Sequence, residues 1–93
     1  MSLYLISYDI SSDFRRTAVS NHLLNVGRRV QKSVFECHLS DKVLQDVQRR
    51  MSELIDHRCD SVRIYQLCKK CFHCVEVLGQ GEPPELDLGP RIV

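Results

Sequence analysis

Tyr4, Ile6, Tyr8 and Ile10 alternate with Leu3, Leu5, Ser7 and Asp9 at the start of the chain. Both sets are mostly apolar, which predicts a strand near the centre of a sheet rather than at its edge. Ser11, Ser12 and Asp13 follow as a loop whose side-chain oxygens suit a helix N-terminus. The period then changes: Phe14, Ala18, Val19, Leu23 and Val26 recur at helical spacing, with Gly27 expected to close the helix. Arg29 to Leu39 is rich in strand formers and long enough for one strand, or for two short ones with a kink. Ser40 and Asp41 open a second expected helix with an apolar stripe of Val43, Val47, Met51, Leu54 and Ile55. Ser61 to Leu67 alternates again, Val62 and Ile64 against Arg63 and Tyr65. A polar turn bearing cysteines leads to Val75, Val77 and Leu78, and Gly81, Pro83, Pro84, Gly89 and Pro90 predict an extended tail.

Strand, helix, strands, helix, strand is the βαββαβ order of a ferredoxin-like α+β sandwich. Without the kink between Arg29 and Leu39, a three-stranded parallel sheet fits the pattern equally well. The expected organisation is one domain over residues 1–80 and an extended tail over 81–93.

Composition narrows the class. At 93 residues, 43% hydrophobic and 27% charged, the chain has the make-up of a soluble globular domain. Collagen, coiled coil, disorder and a membrane span are excluded. A domain this small buries only about 60% of its unfolded surface, so a partner subunit or a metal is an expected source of extra stability. Thirteen Lys and Arg against twelve Asp and Glu give a net charge of +1, yet the stretch from Gly81 carries Glu82, Glu85 and Asp87 against Arg91 alone. The body ahead of it is therefore the more basic part. Leu3 to Ile10 lacks the basic leader and unbroken apolar run of a targeting signal. Together with five cysteines, which read as reduced thiols, this makes the cytoplasm the expected location.

Three features can carry chemistry. Asp9 ends an apolar run that has no other reason to hold a charge; it fits a solvated loop carboxylate, a helix-start cap or a metal ligand. A single carboxylate is a poor Mg²⁺ site, because that ion needs six oxygen ligands, but a twofold axis would bring two copies together. Basic residues come in pairs, Arg15-Arg16, Arg28-Arg29, Arg49-Arg50 and Lys69-Lys70, suited to phosphate contact or to plain solvation. Arg49-Arg50 reads as solvated surface. Arg15-Arg16 opposes the dipole in a first helical turn, which favours a purpose outside the helix. Cys68, Cys71 and Cys74, with His73 between them, form a C-x2-C-x2-C run that lacks the second pair a zinc site wants; Cys59, His57 or another subunit would have to complete it. Cys37 reads as a small buried hydrophobe. No P-loop or G-x-G-x-x-G is present.

In order along the chain, Leu3-Tyr4-Leu5-Ile6-Ser7-Tyr8-Asp9-Ile10, Arg15-Arg16, Val30-Gln31-Lys32-Ser33-Val34-Phe35-Glu36-Cys37, Asp60-Ser61-Val62-Arg63-Ile64-Tyr65 and Val75-Glu76-Val77-Leu78-Gly79 resemble the CRISPR-associated Cas2 family. The resemblance spans Leu3 to Gly79 and rests on the series, no single motif being specific. It implies the ferredoxin-like topology with the kink, and a homodimer whose tails add to the partner's sheet edge. It also implies partnership with the Cas1 integrase in spacer acquisition, the small dimer bridging two integrase dimers in a heterohexameric complex that holds duplex DNA. Several relatives are described as Mg²⁺-dependent endonucleases on RNA or DNA, with the strand-end aspartate, here Asp9, as catalytic metal ligand. Tyr8, Arg15, Arg16, Arg29 and Phe35 match positions tied to the cleft or to nucleic-acid contact, and the register admits either Arg15 or Arg16 as the functional cation. Cys74 is not a feature expected of the family.

The expectation is therefore an antiviral-defence protein with metal-dependent phosphodiesterase activity. Two alternatives are a non-catalytic adaptor that binds duplex DNA and a toxin-like endoribonuclease.

Overall fold

The computed structural model describes residues 1–68, 74 and 76–79. The expected tail over 81–93 lies outside the described residues, as do Cys71 and His73. The elements run β1 (Ser2–Asp9), α1 (Asp13–Leu24), β2 (Gly27–Gln31), β3 (Val34–Leu39), α2 (Asp41–Leu54) and β4 (Ser61–Leu67). The sheet order is β2-β3-β1-β4 and every pairing is antiparallel, which is the ferredoxin-like arrangement and excludes the parallel alternative. Among the described residues no helix is long and apolar enough to cross a membrane.

β1 is apolar on both sides because it lies between β3 and β4. Tyr4, Ile6 and Tyr8 face the helices and join Val19, Leu23, Phe35, Cys37, Val47 and Met51 in the core. The Cys37 thiol is buried completely, and that burial pushes its pKa up to about 11. Each helix starts as the sequence predicts: Ser12 Oγ accepts from the Arg15 amide at 3.3 Å, and Ser40 Oγ accepts from Val43 at 3.3 Å.

Three details differ from the pattern. Phe14, counted in the apolar stripe of α1, is 85% exposed, because it occupies the first turn before the helix meets the core. On α2, Leu44 rather than Val43 packs inward. Gly27 does not cap α1, whose C-cap is Asn25, and instead opens β2 opposite Cys37. A Cβ there would lie 2.6 Å from the Glu36 carbonyl oxygen and would collide with the Cys37 sulfur, so close strand approach accounts for the glycine. The expected kink falls at Lys32 and Ser33, where β2 turns into β3. A bulge between Arg29 and Gln31 leaves Val30 out of the ladder.

Candidate functional site

Asp9 is the last residue of β1, and strand parity puts it with Leu3, Leu5 and Ser7 on the sheet face turned away from the helices. Its side chain is exposed. Antiparallel pairing sets Ser61 opposite Asp9, and Arg63 opposite Ser7. These residues, with Tyr8, Ser33 and Tyr65, line a pocket of about 290 Å³ at the strand end. The lining is mostly polar and holds one carboxylate and one guanidinium.

The hairpin closes this pocket from the other side. The Tyr8 amide donates to the Ser33 carbonyl at 3.1 Å, and the Tyr8 hydroxyl donates to the Lys32 carbonyl at 3.4 Å. Tyr8 therefore ties the β2–β3 turn to the end of β1. Its ring is buried and meets Phe35 edge-on, with centroids 6.3 Å apart and planes at 70°.

Phe35 has no exposed surface. The Arg29 guanidinium sits 5.3 Å from its ring centroid and donates to the hydroxyl of Ser20 on α1. Phe35 and Ser20 thus fix a cation whose residue is otherwise exposed. Tyr8, Phe35 and Arg29 form one connected group on the helix side of the sheet, whereas Asp9 lies on the other side.

Arg15 and Arg16 both have partners inside the fold, a purpose that their position in a first helical turn does not disclose. Arg15 grips Asp60 with two bonds, Nε to Oδ2 at 2.7 Å and Nη2 to Oδ1 at 3.2 Å. The Asp60 side chain has no exposed surface, and Oδ2 also accepts from the Asp56 amide at 2.8 Å. Arg15, ahead of that amide bond, holds the Asp60 carboxyl well below the usual carboxylate range. The same bond raises the pKa of Arg15. Asp56 is lowered too, chiefly by the Arg58 amide. Asp60 immediately precedes Ser61, so the Arg15 clamp fixes the residue that pairs with Asp9. Arg16 donates from Nη1 to the Ile10 carbonyl at 2.9 Å and pairs with Asp13, which pins the backbone on the other side of Asp9.

The donor set around Asp9 within one protomer is a carboxylate with serine hydroxyls. These are hard oxygen donors of the kind Mg²⁺ takes, but too few to enclose it without water and substrate oxygens. Among the described residues no group of three or more His, Cys, Asp or Glu is placed to hold a metal ion. Cys59, Cys68 and Cys74 are exposed, and the completeness of a cysteine site turns on Cys71, outside the described residues. Burial, then the bond to Asp60, raises the Cys59 thiol pKa. Ser7, Ser33, Ser61, Arg63 and Tyr65 were not singled out as site residues by the sequence. The alternation of β4 placed Arg63 and Tyr65 on one face, but only the β1–β4 register shows that this is the face of Asp9.

Residues 1–75 match the family described as CRISPR associated protein Cas2. A CRISPR-associated endonuclease Cas2 of Thermus thermophilus is 46% identical over 84 residues, covering 90% of this chain and 89% of its own length. A CRISPR-associated endoribonuclease Cas2 of Chloroflexus aurantiacus is 45% identical over 83 residues, covering 88% and 89%. Among solved structures, a chain of a partial Cas6-RT-Cas1–Cas2 complex superposes with a TM-score of 0.74 at 26% identity, covering 84% of this chain and 91% of that one.

Proposed function

The chain belongs to the CRISPR associated protein Cas2 family, and from that membership we propose that it acts in CRISPR adaptation as a homodimer that binds nucleic-acid backbones and hydrolyses phosphodiester bonds at Asp9. The relatives named as endonuclease and endoribonuclease support the reaction class. The neighbour from a complex containing Cas1 and Cas2 supports a Cas1 partner. The observation that carries the proposal is local: an exposed carboxylate ends the central strand, beside a guanidinium and three serines, on the helix-free face of the sheet. That face, with apolar Leu5 and Val34 beside polar Ser7 and Glu36, is where a second copy would pack and bring a second Asp9 across the twofold axis.

Asp9 would hold Mg²⁺, which when bound supplies charge neutralisation at the scissile phosphate and a more acidic water. Asp9 fixes the position of that ion at the strand end, and the serines offer donors to the non-bridging oxygens of the reacting phosphate. The hairpin tied down by Tyr8 limits the approach from one side. In the hydrolysis, water adds to phosphorus, the P–O ester bond breaks, and the departing oxygen takes up a proton.

A non-catalytic adaptor is the second reading. It is favoured by the lining of the pocket, where Asp9 is the one carboxylate and no histidine stands beside it as a general base. Cleavage of single-stranded RNA and of duplex DNA by wild type and Asp9→Asn, each with Mg²⁺ or EDTA, separates the two. The expected result is cleavage that needs both Mg²⁺ and Asp9. Binding without cleavage by folded wild-type protein would overturn the hydrolase and leave the adaptor. Cleavage that survives Asp9→Asn would remove Asp9 from the reaction.

A further inference from the structure

Resting on the reading of Asp9 as the phosphodiester site, we propose that Arg63 is the phosphate-binding residue of that pocket, gripping a non-bridging oxygen pair of the bound backbone. Among the described residues, every other arginine meets an oxygen of the fold: Arg15 at Asp60, Arg16 at Ile10 and Asp13, Arg28 at Glu36, Arg29 at Ser20, and the helix and loop arginines at neighbouring carboxylates. Arg63 alone has no such partner. It is exposed, it lines the Asp9 pocket, and the sheet holds its backbone.

Register gives the geometry. Asp9 stands opposite Ser61 and Arg63 opposite Ser7, so Asp9 and Arg63 are diagonal neighbours on one face of an antiparallel pair. Such neighbours lie about 7–8 Å apart at the backbone, within reach of a long side chain. The two make no ion pair here, and the space between them is the pocket itself. A carboxylate alone would repel a phosphodiester. A guanidinium beside it supplies the opposite charge in a planar fork that matches two phosphate oxygens, which an ammonium does not. Ser7 and Ser61 lie between the two charged groups in the register and add neutral donors.

A second role competes with this one. Among the described residues β4 is an edge strand, and an outward-facing arginine protects such an edge from pairing with other chains. That role needs a charge but no contact with nucleic acid.

The test is fluorescence anisotropy of labelled single-stranded RNA and duplex DNA with wild type, Arg63→Ala, Arg63→Lys and Arg49→Ala, in EDTA, from about 50 to 200 mM salt. Arg63→Ala is expected to weaken binding about tenfold and to reduce the slope of log affinity against log salt by about 0.7 on the single strand or 0.9 on the duplex. Arg63→Lys should keep the slope and recover only part of the affinity, because the charge remains and the fork is lost. Arg49→Ala, on α2 and paired with Asp46, should match wild type. Wild-type slope and affinity in folded Arg63→Ala would overturn the assignment while leaving the Asp9 reading in place. Full recovery by lysine would reduce Arg63 to a general charge and overturn the proposed grip. Wild-type protein that binds neither probe would overturn both.

Discussion

Replacing Phe35 with alanine tests whether the core that carries the site is built as described. The ring has no exposed surface, meets Tyr8 edge-on and lies under the Arg29 guanidinium. A buried aromatic side chain removes about 150–250 Å² from water, worth about 4–6 kcal/mol at 25 cal/mol per Å². Alanine retains part of that contact but leaves a cavity, and the expected loss is about 3–5 kcal/mol. A domain of this length has about 5–14 kcal/mol in total, so the variant sits close to unfolding. Phe35→Leu keeps most of the volume and forfeits the ring contacts, for a loss of about 1–2 kcal/mol. Urea unfolding followed by far-UV circular dichroism reads both, the chain having no tryptophan. Protein concentration must be held fixed, since association of protomers would add stability of its own. With a urea slope of about 1.5 kcal/mol per M, alanine should lower the midpoint by about 2–3 M at unchanged slope. A loss under about 1.5 kcal/mol for alanine would refute the reasoning, because such a value means the neighbours never closed on the ring.

Asp60→Asn should flatten the acid limb of stability. The native carboxyl is held deprotonated by Arg15 below the ordinary value of about 4, so the unfolded state binds the extra proton there and stability rises with pH. The contribution is complete above about pH 5 and is lost as pH falls toward the lowered native value. Urea midpoints from neutral pH downward should therefore drop more steeply for wild type than for the variant, and parallel curves would remove Asp60 from the acid response. Gly27→Ala should cost about 1–3 kcal/mol by forcing β2 away from Cys37 and the Glu36 carbonyl, measured by the same unfolding. An unchanged midpoint would mean that β2 shifts freely.

Much of the architecture was legible because it rests on local rules. The two-sided apolarity of Leu3 to Ile10 located the central strand, and the serines at positions 12 and 40 marked both helix starts. Gly27 was misplaced because a glycine after a helical stripe reads as a cap, whereas the actual constraint is a strand neighbour ten residues further on. Phe14 misled for a similar reason: helical period identifies a face but not how far along the helix the core extends. The site divides in the same way. Asp9 stood out as a charge ending an apolar run. Arg63 did not, since its neighbour Ser7 lies 56 positions away in sequence and only register unites them.

The paired arginines show how position and partner separate. By sequence, Arg15 and Arg16 look alike: two cations in a first helical turn, where the dipole disfavours them. In the fold they perform different tasks around one residue. Arg16 holds the carbonyl of Ile10, the residue after Asp9. Arg15 holds Asp60, the residue before the one that pairs with Asp9. Arg15 turns Nε and Nη2 to the chain and Arg16 turns Nη1 and Nη2, and together they fix both strands at the end of β1. An arginine engaged with a carboxylate that has no exposed surface gives up that bond to reach a phosphate, and leaving Asp60 unpaired carries a penalty of its own. Arg63 has no such bond to break. A shared location near Asp9 therefore does not make the three cations equivalent. Arg15 and Arg16 build the frame that holds the carboxylate in place, and among the described arginines the one without a partner in the fold is Arg63 on β4.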